Sequence, residues 1–584
     1  MSVVRRVYVY CVAFVSLLML AGGLSGLGEV LIEAPTISSG TASAQGLREA
    51  LTLNVALVLV GLPVWLLHWV MAERAARRDP SERGATLRRL YVYAVLLVMA
   101  LRLAWSGHEL LAALLARLLP GAAGADAAEI LRPLPWLLVA GLLWLYHRRV
   151  MLADRRLAGE EGGSATLRRW YRYGLAALGL LVLLSGMSGV LRLSWEAAVG
   201  ALAADRLSWG APQPAGPLAS MLVGLLLWLS HWQGWATRSD AERSQEEDLQ
   251  DVRSTLRPTY LFLALGLAIG FTLTAAAQML YYGLGRALGV ERPGGVGGNL
   301  AVALAGPGST LIVYGLSWLY HRQALAAQAT AQPELPRQAG VRRLYTYLVA
   351  IIAVVLVNTG AGGLLWTLAD LLTNAQRSAG GTDWWREQVS LFATLLIVGL
   401  PVWVAYWGRV ADLRRVPIPL PEVTSLSRRL YLYLILLAGV LVLLGAGATA
   451  AKQILDLILG ETATAGATTN LARALAVATV AGLSVFGHQR VLRRDQALAT
   501  AALPAADAAT PAEAGAAEAE ARTYGVIYRQ GQDERHEWFP SAEAARSAYH
   551  QRLTEADGAA WVALVHVLDQ TTRAPSPRPR GEGA

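Results

Sequence analysis

Long apolar segments separated by short polar ones run along most of the chain. Each reaches about 20 mostly apolar residues, the length that a helix needs to cross a bilayer. The segments are 7–27, 51–71, 90–115, 134–151, 170–193, 218–235, 260–284, 301–320, 344–368, 389–410, 430–452 and 471–489. The weakest are 134–151, which is short, and 301–320, which is broken by Gly306-Pro307-Gly308. The pattern predicts an all-α polytopic membrane protein with about twelve transmembrane helices.

A short motif repeats at the start of alternate apolar segments. It consists of two arginines, an apolar residue, an aromatic residue (Tyr), any residue and a second Tyr. The clean copies begin at Arg5, Arg88, Arg168, Arg342 and Arg428. A degenerate copy, Arg257-Pro258-Thr259-Tyr260, lacks the second arginine. Recurrence in alternate segments indicates duplicated units of two helices each.

The second helix of each unit carries its own motif, a tryptophan followed three residues later by a histidine. Its residues are Trp65, His68, Trp144, His147, Trp228, His231, Trp318, His321, Trp403 and Tyr406, and the sixth unit keeps only His488. Together the two motifs predict six hairpins, at residues 1–80, 81–160, 161–250, 251–335, 336–420 and 421–496. All six begin on the same side of the membrane, so the repeats are parallel rather than inverted.

Composition agrees with a membrane protein and excludes several other classes. Hydrophobic residues make up 54% of the 584 positions and charged residues only 16%, whereas soluble domains are typically about 25% charged. The 57 glycines follow no triplet period, and a single cysteine, Cys11, cannot form an internal disulfide. Tryptophan (19) and tyrosine (20) outnumber phenylalanine (6), as expected of rings at two membrane interfaces.

The positive charges concentrate on one side of the predicted hairpins. The Arg-Arg motifs and the basic ends of the second helices, such as Arg77-Arg78 and Arg148-Arg149, share that side. Basic loops favour the cytoplasm, so we expect both termini there. The loop 239–253 is acidic instead, which indicates a solvated linker or, alternatively, a hinge between two halves. A cleaved signal peptide is the alternative for the first segment, but the recurring Arg-Arg favours an uncleaved helix.

The two helix motifs together resemble those of a bacterial family of repeated two-helix integral-membrane domains whose function is unknown. The resemblance covers residues 1–496 and is strongest in units one, two, five and six, whereas the fourth unit departs from it at Pro258. It implies a multi-pass protein of the bacterial cytoplasmic (inner) membrane. It implies no catalytic residue.

The C-terminal part of the chain has a different composition. Residues 497–522 are rich in Ala, Glu and Pro, which predicts a linker. Strand and helix patterns over 523–570 predict a small cytoplasmic α+β domain of ββαβ type, through which we expect a protein partner to bind. Residues 571–584, rich in Pro and Arg, are expected to be disordered.

The repeated histidines raise the question of haem, since neutral imidazole is a common haem ligand. A belt of aromatic and polar side chains at the membrane interface is the alternative, and the replacement of His by Tyr406 favours the belt. No phosphate-binding loop, nucleophile elbow or zinc-protease helix occurs. We therefore predict no cofactor, no metal site and no nucleic-acid partner.

Charged residues inside apolar segments mark the candidate site. Arg102 lies 14 residues after Arg88, about 21 Å along the helix, where an arginine is expensive and marks an interior path or partner. His108 and Glu109 lie about two turns further on, and Glu109 is the expected partner of Arg102. Charge pairs of lower weight are predicted at the outer ends of helices, at Arg192, Glu196, Lys452 and Asp456.

These features favour a membrane scaffold or sensor without enzymatic activity, with a partner-binding tail. A transporter or channel with a path among the hairpins is the alternative, and Pro63, Pro401 and the Gly306-Pro307-Gly308 break offer discontinuous helices for it. A haem-binding redox protein ranks third.

Overall fold

Twelve long helices account for most of the described chain. The computed structural model describes residues 2–35, 44–119, 127–202, 214–233, 251, 253–295, 299–331, 335–373, 384–410, 418–459, 466–507, 524–530, 533–539, 542–555 and 562–566. The structure has two compact units, Met1–Ile418 with Ser425–Arg490, and Pro419–Thr424 with Val491–Ala584.

The helices alternate as first and second members of consecutive hairpins. The first helices are α1 (Val3–Glu33), α3 (Thr86–Leu118), α5 (Gly162–Leu202), α7 (Leu256–Ala287), α9 (Pro336–Leu372) and α11 (Leu426–Ile458). The second helices are α2 (Ala44–Arg78), α4 (Leu134–Ala158), α6 (Ala215–His231), α8 (Ala305–Ala331), α10 (Trp384–Val410) and α12 (Ala467–Asp507). Short helical turns at Ser81–Gly84, Ala127–Leu131, Pro293–Gly295, Leu300–Ala303 and Leu420–Val423 lie between them.

Eleven of these twelve helices, within the described residues, are long and apolar enough to cross a membrane, and the chain is a multi-pass membrane protein. The exception is α6, which is apolar but has only 17 residues. The two segments that looked weakest in the sequence belong to long helices, since α4 has 25 residues and α8 has 27. Pro307 lies in the first turn of α8, where proline removes no helical hydrogen bond, so it does not interrupt the span.

The two helices of each hairpin pack closely along their length. Contacts join α1 to α2, α3 to α4, α5 to α6, α7 to α8 and α9 to α10, while Tyr431 of α11 bonds to His488 of α12. Glycines permit the closest approach. A Cβ at Gly360 would lie 2.7 Å from the amide nitrogen of Leu396 on the facing helix. Small residues at such crossings let helix backbones meet within lipid.

The first helices also form a row in which each contacts the next. Contacts link α1 to α3, α3 to α5, α5 to α7, α7 to α9, and α9 to α11. First helices also contact the second helix of the following hairpin, in the pairs α1–α4, α3–α6, α5–α8 and α7–α10, and in α9–α12, where Asp370 binds Arg473. Val9, Ala13 and Leu17 of α1 are fully buried in this row. The repeats therefore stack laterally, each on its neighbours in sequence.

The second unit contains a short antiparallel sheet of β1 (Tyr524–Gln530), β2 (Asp533–Phe539) and β3 (Val562–His566), in the order β2-β1-β3. Helix α13 (Ala542–Glu555) lies between β2 and β3 in the chain, and its buried Ala545 packs with Val526 of β1. Helix α12 continues to Asp507, into the segment predicted as a linker, because alanine is the best helix former. Residues 508–523 and 567–584, with most of the acidic loop 239–253, lie outside the described residues.

Candidate functional site

The repeated histidine of each second helix meets the first tyrosine of its own hairpin. A tyrosine hydroxyl and a histidine Nε2 lie 3.3 Å apart in Tyr8–His68, 3.2 Å in Tyr91–His147, 3.3 Å in Tyr260–His321 and 3.0 Å in Tyr431–His488. In the third hairpin the rings of Tyr171 and His231 pack edge to face. In the fifth, where Tyr406 replaces histidine, its hydroxyl bonds to that of Tyr345 at 3.0 Å. The two motifs thus join the two helices of a hairpin.

The second ring nitrogen fixes the direction of these hydrogen bonds. In His147 the Nδ1 atom lies 2.8 Å from the carbonyl oxygen of Leu143, one turn back on the same helix. The other four repeated histidines make the same contact, at 2.7 to 2.9 Å. A carbonyl only accepts, so Nδ1 carries the proton, and Nε2 of a neutral ring accepts from the tyrosine hydroxyl. Nε2 therefore joins the two helices of a hairpin, while Nδ1 is bonded within its own helix.

The same tyrosines also accept a hydrogen bond from the preceding hairpin. The indole Nε1 of Trp65 donates to the Tyr91 hydroxyl at 3.2 Å, and the second and third hairpins repeat the bond from Trp144 and Trp228. The fourth motif tryptophan, Trp318, lies 5.2 Å beneath the guanidinium of Arg322. A tyrosine hydroxyl has one donor and two acceptor positions, so one side chain can bind both hairpins.

Three equivalent aromatic clusters result, each between an odd-numbered hairpin and the next. We call them clusters 1, 2 and 3, and they comprise Trp65, Trp69, Arg88, Tyr91 and His147; Trp228, Trp232, Arg257, Tyr260 and His321; and Trp403, Trp407, Arg428, Tyr431 and His488. In each, an indole packs against the tyrosine ring with centroids 5.1, 4.6 and 4.6 Å apart. The arginine lies over the same indole, at 5.3, 5.5 and 5.9 Å, a favourable cation–π position.

The second aromatic residue of each Arg-Arg motif continues this packing from hairpin to hairpin. It contacts the first tyrosine of the next motif, with ring centroids 5.2 to 5.9 Å apart. The pairs are Tyr10–Tyr91, Tyr93–Tyr171, Tyr173–Tyr260, Phe262–Tyr345 and Tyr347–Tyr431. We call this series of five contacts the aromatic ladder. It connects all six first helices.

The motif arginines bind acidic residues that the sequence analysis did not single out. Arg6 forms two hydrogen bonds with Glu82, at 2.8 and 2.7 Å. The fully buried Arg88 binds Asp154 and Glu73, each at 2.6 Å. Two further acids serve the same purpose, since Glu160 pairs with Arg89 and Arg168, and Asp251 with Arg168, Arg169 and Arg172. The arginines of these motifs therefore pair neighbouring hairpins.

Two of these carboxyl groups lie outside the membrane-spanning segments and have perturbed acidities. The hydrogen bond from Arg6 lowers the pKa of Glu82 to about 2. Burial alone would raise the pKa of Asp251, but the hydrogen bond from Arg169 and the nearby guanidinium charges lower it below its ordinary value. Both acids are therefore ionised at neutral pH. These two acids could have been found from the sequence by their position, because each lies six residues before the first arginine of the next motif.

A second set of ion pairs lies at the opposite ends of the helices. Glu33 binds Arg132 at 2.7 Å, and Asp370 binds Arg473 at 2.5 and 2.9 Å. Both acids follow the first tyrosine of their hairpin by 25 residues, and both arginines precede the histidine of the next hairpin by 15. The two pairs are therefore the same contact in different repeats.

Two predicted outer-end pairs occupy this same position in other hairpins. Glu196 has the acidic position in the third hairpin, but Gly306 stands where the arginine would be, and Glu196 pairs with Arg192 of its own helix at 3.3 Å. Asp456 occupies the same acidic position in the last hairpin, and it pairs with Lys452 of its own helix at 2.7 Å. The structure thus brings each pair together, at partly exposed positions.

The candidate intramembrane residues Arg102, His108 and Glu109 do not form one site. Arg102 lies over the ring of Trp136 in α4, 3.8 Å from its centroid. His108 bonds to Ser220 of α6 at 3.1 Å, whereas the exposed Glu109 accepts from Trp105 at 2.7 Å. Arg102 and Glu109 form no ion pair within the described chain. The expected partner was wrong because the guanidinium extends sideways to the neighbouring helix, where the indole face is nearer than a carboxylate two turns away.

Metal-binding geometry is also not found among the described residues, where no three His, Cys, Asp or Glu side chains converge. The polar side chains that recur in the repeats, those of the motif tryptophans, tyrosines and histidines, instead contact one another. The arrangement can hold hairpins in a fixed order. Four of the five repeated imidazoles, those of His68, His147, His321 and His488, are hydrogen-bonded at both nitrogens.

The family model of a domain of unknown function (DUF5671) matches the chain three times, at residues 6–125, 169–316 and 343–483. These matches cover more than half of the chain. The chain belongs to the DUF5671 family. Each match begins in the first helix of an odd-numbered hairpin and continues into the next hairpin, so a DUF5671 unit spans more than one hairpin. No curated protein and no solved structure matches the chain.

Proposed function

We propose that this protein is a non-enzymatic membrane scaffold or sensor of the bacterial cytoplasmic membrane, with both termini in the cytoplasm. The aromatic clusters carry the proposal. Their repeated polar side chains bind each other between hairpins, from Trp65 through Tyr91 to His147 and the carbonyl of Leu143. Side chains whose donors and acceptors are already hydrogen-bonded to one another hold the helices in place, and we infer that they do not act on a substrate.

The small sheet with helix α13 is the second part of the proposal. We infer that residues 523–570 form an α+β domain that binds a cytoplasmic protein. Support comes from its own apolar core, in which Val526 and Ala545 are fully buried and Phe539 and Tyr549 pack around them. On one side of α13, Glu543, Arg546 and His550 have exposed side chains.

A photo-cross-linking residue placed in the full-length protein tests the partner. Substituted for Arg546 in living cells, it should give a discrete protein adduct, whereas the same residue in place of the exposed Leu483 of α12 should give none. If substitutions at Glu543, Arg546 and His550 all give no discrete adduct, residues 523–570 do not bind a stable partner.

The membrane topology is tested separately. Reporters fused after Arg78 and Arg494 should be active only when the reporter works in the cytoplasm, and a periplasmic signal contradicts the orientation.

A transport path is the second candidate, favoured by one observation. The Nε atom of Arg102 is buried without a hydrogen bond in a membrane-spanning helix, and such groups often mark pathways. Replacement by Leu should leave membrane insertion intact. If Arg102→Leu changes solute uptake by vesicles containing the purified protein, while Arg102→Lys does not, transport replaces the scaffold as the main function.

A further inference from the structure

The aromatic ladder has two ends at which a ring lacks the neighbour that every internal ring has. Tyr8 is the first tyrosine of the first hairpin, and Tyr433 is the second of the last. Their exposed fractions are 57% and 53%, whereas Tyr10 and Tyr431, next to them in the ladder, are buried. The first and last hairpins of one chain therefore do not close the ladder on each other.

Among the described helices that are long enough to cross a membrane, α11 is the least buried first helix and α2 is the least buried second helix. Only 22% of the apolar window of α11 is buried, against 44% for α1 and α3. For α2 the value is 6%. Each internal first helix contacts the next first helix, and usually the second helix of the next hairpin. The face with which α11 would contact a following hairpin and the face with which α2 would contact a preceding first helix are both little buried, and together they make the two halves of one such junction.

Continuous apolar stripes run along both end helices. On α1 the exposed residues Val4, Tyr8, Cys11 and Val15 recur every three or four positions. On α11 the stripe comprises Leu426, Leu430, Tyr433, Leu437, Leu441 and Leu444. This spacing places each set on one face of its helix. The two faces are therefore extended enough for helix-to-helix packing.

We propose that copies of this chain associate head to tail in the membrane. Helix α11 of one copy packs against α1 and α2 of the next, and Tyr433 contacts Tyr8 of that copy as a sixth step of the aromatic ladder. All hairpins begin on the same side, so both copies keep the same membrane orientation. The contact uses two different faces, and it therefore generates a closed ring or an open chain rather than a symmetric pair.

One internal junction shows that such a contact can form where a motif lacks its second arginine. Between the fourth and fifth hairpins, Pro258 replaces the second motif arginine. The ladder contact is nevertheless present, since Phe262 and Tyr345 lie 5.2 Å apart. At the proposed junction the corresponding Arg429 is exposed. Rings and apolar stripes alone would hold the copies together, so we expect the association to be weaker than the internal junctions.

The native thiol of Cys11 provides a direct test. Cys11 is the chain's single cysteine and lies one turn beyond Tyr8, as Leu437 lies one turn beyond Tyr433. In native membranes, oxidation of the Leu437→Cys protein should give a series of disulfide-linked dimers, trimers and larger species. If the copies form a closed ring, the largest linked species contains as many copies as the ring. Reduction should return all of it to monomer.

Three proteins serve as controls. The wild type has only Cys11, and Cys11→Ser/Leu437→Cys has only the introduced thiol, so neither should form the series. The third, Ile352→Cys, places a thiol on the exposed face of the internal helix α9 at nearly the same depth and should also give monomer. Absence of the series with Leu437→Cys, an equal series with Ile352→Cys, or dimers of either single-thiol protein would overturn the proposal.

Discussion

Replacing Asp370 by Asn should destabilise the protein far more than replacing Glu33 by Gln. The two carboxylates occupy the same position in their hairpins, and each binds an arginine of the following hairpin. Their surroundings differ. The Asp370 and Arg473 side chains are 1% and 23% exposed, whereas those of Glu33 and Arg132 are 36% and 62% exposed. The repeat thus supplies a matched pair of ionic contacts that differ mainly in burial.

The expected magnitudes follow from that difference. Removing one partner of a buried ion pair typically costs about 3–5 kcal/mol, because the other charge is left uncompensated. Since Arg473 is partly exposed and also stacks on Trp366 at 4.9 Å, we expect a loss of about 2–3 kcal/mol for Asp370→Asn. An exposed pair contributes about 0–1 kcal/mol, so Glu33→Gln should cost less than about 1 kcal/mol.

Equilibrium unfolding in mixed detergent micelles, followed by circular dichroism, measures these losses. Arg473→Gln alone and with Asp370→Asn completes a double-mutant cycle. The double variant should be more stable than the sum of the single losses predicts, by at least about 1 kcal/mol. Equal losses for Asp370→Asn and Glu33→Gln, or additive effects at Asp370 and Arg473, would refute the assignment of this contact as a buried ion pair.

Three other predictions concern the junctions. Tyr91→Phe leaves the partly buried indole of Trp65 and the buried imidazole of His147 without their shared partner and should cost about 2–3 kcal/mol. Tyr8→Phe removes the partner of His68 alone, at an exposed tyrosine, and should cost about 1 kcal/mol or less; the same unfolding assay measures both. Glu82 has its pKa lowered to about 2, so its stabilising contribution is present above its ordinary value and is lost as pH falls toward 2; the unfolding midpoints of wild type and Glu82→Gln should differ at neutral pH and converge in acid. Gly360→Ala should cost about 1–3 kcal/mol by forcing two helix backbones apart, while Gly362→Ala, which meets no atom within 4 Å, should be neutral or stabilising.

The sequence predicts the repeated parts of this structure well because local rules determine them. Apolar length indicates the spans, and the Arg-Arg and Trp-x-x-His motifs indicate that the helices come in pairs. The membrane-spanning helices follow from these patterns, and the one shorter helix, α6, adjoins residues outside the described part of the chain. The shared depth of the histidines is also readable, since it depends only on their position along the second helix.

The lateral partners are not readable from one sequence. Glu33 and Arg132 are 99 positions apart, and nothing local to either indicates that the second helix of the next hairpin passes beside the first. Arg102 shows the same limit. Its depth in the bilayer follows from spacing along the helix, but the choice between Glu109 and Trp136 depends on which way α3 faces. The repeat itself holds more information, since aligned hairpins place Glu33, Glu196, Asp370 and Asp456 at one common position.

The aromatic ladder has a consequence for how the chain can be made and how its length can change. From the second hairpin onward, each first tyrosine meets an aromatic ring of the hairpin synthesised just before it. Every new hairpin that enters the membrane therefore finds its docking groups already in place. Assembly can follow translation without waiting for distant segments. For the same reason, duplication of a hairpin pair adds a junction of the existing kind and requires no new interface. A family built in this way can vary in the number of units while each junction stays the same.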